Sequence, residues 1–361
     1  MSKWQTVTLN DVCDFIKDGT HQTPTYSEEG VVFLSSKNVT TGVIDWENVK
    51  YIPTELHEKL YKTLSPQIND ILLAKNGTTG IAAIVDKDIV FDVYVSLAVL
   101  RPDTSIVSPR FLLWAINSPR SKIQFNQSLK GIGVPNLHLS SISKTTVTLP
   151  PLDIQIHIVT VLDKLQSIIT HRKQQLAKLD ELIKARFVEM FGDPQKNTQN
   201  RPTTELINVV KMQRGFDLPT YNRNQNGDIP VYGANGVLDR HDTAKVLGGG
   251  VITGRSGTIG NVYYTLGDYW PLNTSLFSSD LHGNNVIYLA YLLDLFDLTR
   301  FKEGTGVPTL NRNKFHKEQI IVVPITQQTE FAAFVAQTDK SKFLNENVTR
   351  LLRRVKLYDQ F

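Results

Sequence analysis

Two kinds of hydrophobic spacing alternate along the chain. Between residues 158 and 190 apolar side chains return every three or four positions, at Ile158, Leu162, Leu165, Ile169, Leu176, Leu179, Ile183 and Met190. Arg172 and Arg186 take the two remaining seam places. This stepping is a heptad and predicts one long helix with a coiled-coil seam. Pro150-Pro151 precedes it, Asp153 is placed as its N-cap, and Gly192 marks its end. At 1.5 Å per residue, about 38 residues run close to 60 Å, more than a small domain needs. After Pro324 the same stepping recurs at Phe334, Gln337, Ser341, Leu344, Val348, Leu351, Val355 and Tyr358, with a more polar first half.

Elsewhere the apolar runs are short. Val31–Leu34, Ile71–Leu73, Ile81–Val85 and Tyr94–Leu100 are rich in aliphatic and β-branched residues and bounded by polar or Gly-containing segments, which predicts strands and tight turns. Val251–Thr253 and Val262–Tyr264 read the same way, and Phe111–Asn117 and Ile287–Leu295 read as short helices. The fold class expected is therefore α+β.

The chain also repeats itself. Gly42-Val43-Ile44-Asp45 matches Gly236-Val237-Leu238-Asp239, and Lys75-Asn76-Gly77-Thr78-Thr79-Gly80 matches Arg255-Ser256-Gly257-Thr258-Ile259-Gly260. Ser96-Leu97 matches Ser275-Leu276, and Phe111–Trp114 matches Tyr288–Tyr291. Gly131-Ile132-Gly133-Val134-Pro135-Asn136-Leu137 matches Gly304-Thr305-Gly306-Val307-Pro308-Thr309-Leu310. The offsets are 194, 180, 179, 177 and 173, a steady fall that fits two copies differing in loop length. The last offset then holds, with Lys144 meeting Lys317, Pro151 meeting Pro324 and Gln155 meeting Gln328. A helix leaving one copy and a helix returning from the other predict an antiparallel pair with an approximate two-fold axis, a symmetry that suits duplex DNA.

Composition narrows the classes. The 361 residues are 41% hydrophobic and 20% charged, enough for real cores in two or three domains. No apolar run reaches the length of a membrane helix, and the first residues carry no apolar signal segment. One cysteine, Cys13, excludes an internal disulfide framework and a cysteine-based zinc site, and fits a reducing, cytoplasmic setting. A net charge of +4 permits a nucleic-acid partner without demanding one. There is no Walker A loop, no Asn/Asp-Pro-Pro-aromatic motif, no Gly-x-Ser-x-Gly elbow and no paired histidines at metal-ligand spacing. The glycine-rich stretch Gly248–Gly260 could cradle a phosphate, but a strand rather than a helix follows it.

The segment Asp70–Gly80 with its copy, the two Gly-x-Gly-Val-Pro-x-Leu segments, the run Pro150-Pro151-Leu152-Asp153-Ile154-Gln155 and the run Pro324-Ile325-Thr326-Gln327-Gln328 together resemble the specificity (S) subunit of type I restriction–modification systems. The resemblance covers essentially the whole chain. It implies two target-recognition domains (1–150 and 196–323), each followed by a spacer helix (151–195 and 324–361), with the helices forming an antiparallel coiled coil. It further implies a non-catalytic subunit that reads a bipartite target in double-stranded DNA, docks two methyltransferase subunits and is joined by restriction subunits. S-adenosylmethionine, ATP and magnesium would belong to those partners. A structural adaptor that assembles partners without reading DNA stays open as the other reading.

A DNA-reading head needs cations for phosphates and amide or guanidinium groups for base edges. The first copy offers His21, Gln22, Lys37, Asn38, Lys75, Asn76, Thr78 and Lys130 in loops. The second offers Arg214, Asn222, Arg223, Asn224, Arg240, Arg255, Ser256, Thr258, Lys302 and Arg312. Lys75 and Arg255 are each expected at a tight turn that carries them to DNA. Leu162, Leu165, Arg172, Leu176, Leu179, Arg186, Val348, Leu351 and Val355 are the candidate partner-packing positions on the helices.

Overall fold

The computed structural model describes residues 4–129, 135–304 and 306–358. The chain divides into two compact units, Met1–Thr170 with Thr349–Phe361, and His171–Val348.

The first unit is built on a four-stranded antiparallel sheet, in the spatial order Cys13–Asp18, Leu97–Pro102, Ile71–Ala74, Ala82–Ile84. The strand Ile71–Ala74 is buried on both faces, which explains its unbroken apolar run. Ile71 and Leu73 face a core with Phe111, Leu112 and Phe125, whereas Leu72 and Ala74 face a second core with Leu34, Phe91 and Val93. The period-two alternation of a strand thus serves two cores from one sheet. A three-stranded sheet closes the second core, with Val31–Leu34 antiparallel to Lys50–Ile52 and parallel to Phe91–Val93. Gln5–Thr8 pairs with Thr146–Leu149 beside the first core. The strand expected from Tyr94 begins only at Leu97, because Tyr94–Ser96 turns over to bridge Thr20.

The second unit repeats this plan. Its four-stranded sheet runs Lys211–Arg214, Ser275–Asp280, Gly250–Gly254, Val262–Thr265. In its three-stranded sheet Ile229–Gly233 is antiparallel to Gly236–His241 and parallel to Trp270–Pro271. Thr203–Glu205 pairs with Gln319–Ile321 as the counterpart of the edge pair in the first unit. The repeat read from sequence is thus a repeat of topology and strand sense. The landmark starting at Gly236 lies in a strand in this copy, but its partner Gly42–Asp45 lies in a longer loop of the first.

One short helix packs on each four-stranded sheet, Pro109–Ile116 in the first unit and Val286–Phe296 in the second. Proline starts the former, where its missing N–H is harmless, and the Asn285 side chain caps the latter. A buried glutamine ties each of these helices to the start of a long helix. In the first unit Gln155 accepts from the Ser108 N–H (2.8 Å) and donates to the carbonyls of Ile106 (3.1 Å) and Pro150 (2.9 Å). In the second Gln328 accepts from the Asn285 N–H (2.8 Å) and donates to Asn284 Oδ1 (2.7 Å) and the Val323 carbonyl (2.8 Å). Each amide thereby uses both of its N–H donors and its oxygen, so neither its nitrogen nor its oxygen goes without a partner.

The long helices are Leu152–Phe191 and Ile325–Tyr358. Every heptad seam position from Ile158 to Met190 is buried or half-buried, and Leu162, Ile169 and Ile183 are fully so. Asp153 lies inside the first turn rather than capping it, because the Gln155 N–H already bonds the Pro151 carbonyl. Gly192 ends the helix at φ +82°, and its N–H bonds the Val188 carbonyl. Within the second unit, Ile183, Phe187 and Phe191 share a core with Phe331, Ala332 and Val335. Lys342 Nζ reaches Asp180 at 2.6 Å, while Phe187 meets Phe331 further along, so these stretches of the two helices run antiparallel.

Of the expected partner-packing positions, Leu165, Leu176 and Leu179 are half-buried and Val348 is exposed. Arg172 donates to Gln175 (3.1 Å), and Arg186 pairs with Glu189 (2.9 Å) and Glu330 (3.6 Å). The side chains of Leu351 and Val355 lie outside the described residues. No helix among the described residues is long and apolar enough to cross a membrane.

Candidate nucleic-acid interface

Two of the repeated landmarks that are far apart in sequence meet in space, and they meet identically in both units. In the first, the Gly77 N–H bonds the Pro135 carbonyl (3.3 Å), the Leu137 N–H bonds the Lys75 carbonyl (2.8 Å), and Asn76 bridges Asn136. In the second, the Gly257 N–H bonds the Pro308 carbonyl (3.0 Å), the Leu310 N–H bonds the Arg255 carbonyl (2.8 Å), and Ser256 bridges Thr309. Residues 131–134 lie outside those described; among the described residues each turn is joined to 135–137 or 308–310 through main-chain atoms. Gly77 (φ +75°) and Gly257 (φ +84°) sit in the left-handed region at the crest of this turn, with open space where a side chain would project.

The hydrogen bonds also correct the repeat alignment. The Lys75 N–H bonds the Ser96 carbonyl and the Arg255 N–H bonds the Thr274 carbonyl, so Ser96 corresponds to Thr274 and not to Ser275. Ala74 faces Leu97 and Gly254 faces Ser275, which gives the same one-residue shift. Two serines in adjacent frames had produced the false match.

With that register, Asp18 opposite Ala98 corresponds to Arg214 opposite Leu276. The glycines that follow behave alike: the Gly19 N–H bonds the Leu97 carbonyl and the Gly215 N–H bonds the Ser275 carbonyl. Neither glycine can carry a side chain, since a Cβ would fall 1.9 Å from the Val93 carbonyl oxygen or 2.2 Å from that of Leu272. The sheet end is therefore the same frame twice, with Asp18 and Lys75 mounted on one copy and Arg214 and Arg255 on the other.

The charges differ accordingly. Lys75 is buried and its Nζ lies 2.5 Å from Asp18 Oδ2, so it does not project from the turn as expected. An exposed His21 adds a second contact to Asp18 at 3.5 Å. A cleft of about 440 Å³ opens here between Lys17–His21, Leu60–Leu64 and Asp92–Val93. Asp92 is held by His57 Nδ1 at 2.7 Å, and burial pushes its carboxyl above the usual range.

In the second unit a cleft of about 340 Å³ is lined by Arg214, Arg255, Arg312, Glu303, Asn311 and Asn313, with Leu276, Thr309 and Leu310 as its apolar part. Arg255 is half-buried and donates to the Asn273 carbonyl at 3.3 Å. Glu303 is already engaged by Lys314 (2.6 Å) and by Asn311 (3.1 Å), and these bonds hold its carboxyl below the usual range. Behind the cleft wall, His316 accepts the Met212 N–H at 3.0 Å, and burial with Arg312 and Lys211 nearby lowers its pKa to about 4.

Other candidates fall into two groups. Asn38 is buried, capping Ser35 and donating to the carbonyls of Asp45 and Asn48, so it is structural rather than a surface amide. Arg223 is likewise spoken for, by the Leu218 carbonyl (3.1 and 3.0 Å) and Asp239 (3.4 Å). Asn224 donates to both oxygens of Asp242, and Arg240 to the Asp228 carbonyl, though both remain exposed. Gln22, Lys37, Thr78, Asn222, Thr258 and Lys302 are exposed, and Asn76 and Ser256 are half-buried at the turn. Asn76 Oδ1 is buried there without a hydrogen-bond partner. Lys130 lies outside the described residues. Asp18 and Glu303, which decide the charge of the two clefts, were not among the candidates. A Gly preceded by Asp in one copy and by Arg in the other is the signal that points to Asp18.

Known proteins resemble this arrangement along the whole chain. The model of the type I restriction modification DNA specificity domain matches residues 1–181 and again 196–353. The EcoBI type I restriction enzyme specificity subunit of Escherichia coli is 26% identical over 168 residues, which is 45% of this chain and 35% of that protein. The chain thus matches about a third of that relative's length. The crystal structure of a type I restriction–modification system S subunit from M. genitalium superposes with a TM-score of 0.62 at 15% identity, covering 98% of this chain and 94% of that one. A chain from a structural study of complex assembly and conformational transition of the type I system gives 0.58 at 16% identity, covering 99% and 96%. At these identities the two structures establish the shared fold.

Proposed function

Because the chain belongs to the type I restriction–modification DNA specificity family, we propose that it is the subunit that selects the DNA target of such an enzyme. Residues 1–150 and 196–323 act as two target-recognition domains, each reading one half of a bipartite site. Residues 151–195 and 324–361 act as spacer helices that dock two methyltransferase subunits, with restriction subunits joining the assembly. The chain has no catalysis of its own in this reading. S-adenosylmethionine, ATP and magnesium serve the partner subunits, and the complex works in the cytoplasm.

One observation carries the proposal: a complete sheet, turn and long-helix unit occurs twice in one chain with the same hydrogen bonds. A split DNA site presents two reading surfaces to such a pair of units. The test is methylome sequencing of the host with and without this gene. Loss of one bipartite adenine-methylation motif is expected. An unchanged methylome would overturn the proposal and leave an adaptor that assembles partners.

A further inference from the structure

The two clefts at the sheet ends share a frame but not a charge, and this asymmetry bears on what each can hold. We propose that the cleft of the second unit takes an acceptor-rich group of DNA on Arg214, Arg255 and Arg312, and that the corresponding place in the first unit is closed to such a group. This rests on the DNA-reading function proposed above. It goes further in naming one site, one unit and one ligand chemistry, namely paired oxygen or nitrogen acceptors, as on a backbone phosphate or a guanine O6/N7 edge.

Three guanidinium groups line one cleft of about 340 Å³. Among the described residues none of the three is in a salt bridge, and the one carboxylate lining the cleft, Glu303, is engaged by Lys314 at 2.6 Å. Each guanidinium carries five N–H donors in a planar fork and stays charged at any relevant pH. Arg255 uses one donation, to the Asn273 carbonyl, leaving most of its fork available. Like charges gathered without a counter-ion repel one another, and an anionic or acceptor-rich guest relieves that repulsion. The cleft excludes cations for the same reason. Its walls are set by main-chain bonds on either side of Arg255, from its N–H to Thr274 and from its carbonyl to Leu310, so the fork is presented from a fixed base.

The first unit shows what the same frame does with an opposite pair. Asp18 occupies the Arg214 place and neutralises Lys75 at 2.5 Å. A phosphate there would meet a carboxylate, and the buried Lys75 ammonium has its charge already matched. At this place the two units thus offer different chemistry, with a guanidinium cluster in the second unit only.

The experiment uses the full chain assembled with the methyltransferase subunits encoded beside it, and a duplex carrying the motif found in the methylome. Binding is measured by fluorescence anisotropy over a salt series for wild type, Arg214→Ala/Arg255→Ala and Arg214→Asp, with Lys196→Ala as a control away from the cleft. The double variant should bind at least 10-fold more weakly and lose discrimination at one half-site only. R214D should do the same while keeping its fold, since it installs the charge pattern that the first unit already tolerates; hydrogen exchange of the four-stranded sheet checks this. Two arms separate the sources. If the guest is a guanine edge, 7-deazaguanine in that half-site weakens wild type and leaves the double variant unaffected. If it is a phosphate, 7-deazaguanine has no effect and the salt slope falls by about one to two in the double variant. A folded double variant that binds with wild-type affinity and specificity overturns the inference while leaving the DNA-reading function intact. Failure of the wild-type complex to bind DNA would sink both.

Discussion

The ends of the two four-stranded sheets are built from the same main-chain bonds and carry opposite electrostatic solutions. In the first unit a lysine at the turn is drawn into the protein by an aspartate. In the second, arginines at both places line the cleft wall, and among the described residues neither is in a salt bridge. The backbone frame does not depend on the charges, because it survives their replacement. What a side chain does at this frame is decided by the residue that ends the strand two places across the sheet rather than by the turn motif that both copies share.

The largest effect expected is at the part of the frame that does not differ. Gln155→Leu and Gln328→Leu each strand one N–H donor and two acceptors, one of them buried and the others part-buried, and each should cost about 3–5 kcal/mol. Domain-resolved hydrogen exchange on the full chain checks this. Each substitution should loosen its own unit by a similar amount, and a marked inequality would break the equivalence of the two copies.

The next effect belongs to one unit only. His316 has a pKa lowered to about 4 from an ordinary value near 6.5, while the corresponding position in the first unit is Ser143. The unfolded chain takes up this proton at higher pH than the native one does. Stability from this group is therefore full above about pH 6.5 and lost as pH falls toward about 4, to a total of about 3 kcal/mol. Exchange measured at pH 7 and pH 4.5, corrected for intrinsic rates, should show the second unit opening selectively. His316→Gln should flatten that difference.

Asp18→Asn leaves a buried ammonium without its counter-charge and should destabilise the first unit by about 2–3 kcal/mol. Arg214 is exposed, and Arg214→Ala should change stability by less than about 0.5 kcal/mol. Urea unfolding of the two variants reads the contrast directly. Equal costs would mean that the Asp18–Lys75 pair contributes nothing beyond a surface contact.

The smallest effect tests the turn crest. Gly77→Ala and Gly257→Ala meet no steric obstacle, but each forces an alanine into the left-handed region, at about 1 kcal/mol. Thermal unfolding should show the two costs alike.

Much of the fold could be read from spacing. The heptad places of the first long helix coincide with its buried face, and the landmarks disclosed the duplication because loop lengths shift offsets without disturbing order. The failures have local causes. A serine beside the true match drew the third landmark one residue out of frame, which only the ladder opposite Ala74 and Gly254 could reveal. Asp153 looked like a cap because its type suits one, yet Pro151 already supplies the carbonyl that starts the helix. Among candidate contacts, residue type alone could not separate Arg255 from Arg223 or Lys75. Their difference lies in partners such as Asp239 and Asp18, which approach from 16 and 57 residues away. Long-range pairing of this kind leaves no periodic trace.

Among the described residues, the join between each turn and 135–137 or 308–310 is made by peptide groups. A substitution at the exposed turn crest that preserves the glycines therefore leaves these main-chain bonds in place. Thr78 and Thr258, exposed at the crests of these turns, can be replaced by any residue that solvent tolerates. Selection is free to rewrite these positions one codon at a time, and a lineage can explore new surface chemistries through neutral intermediates that fold as well as their ancestors.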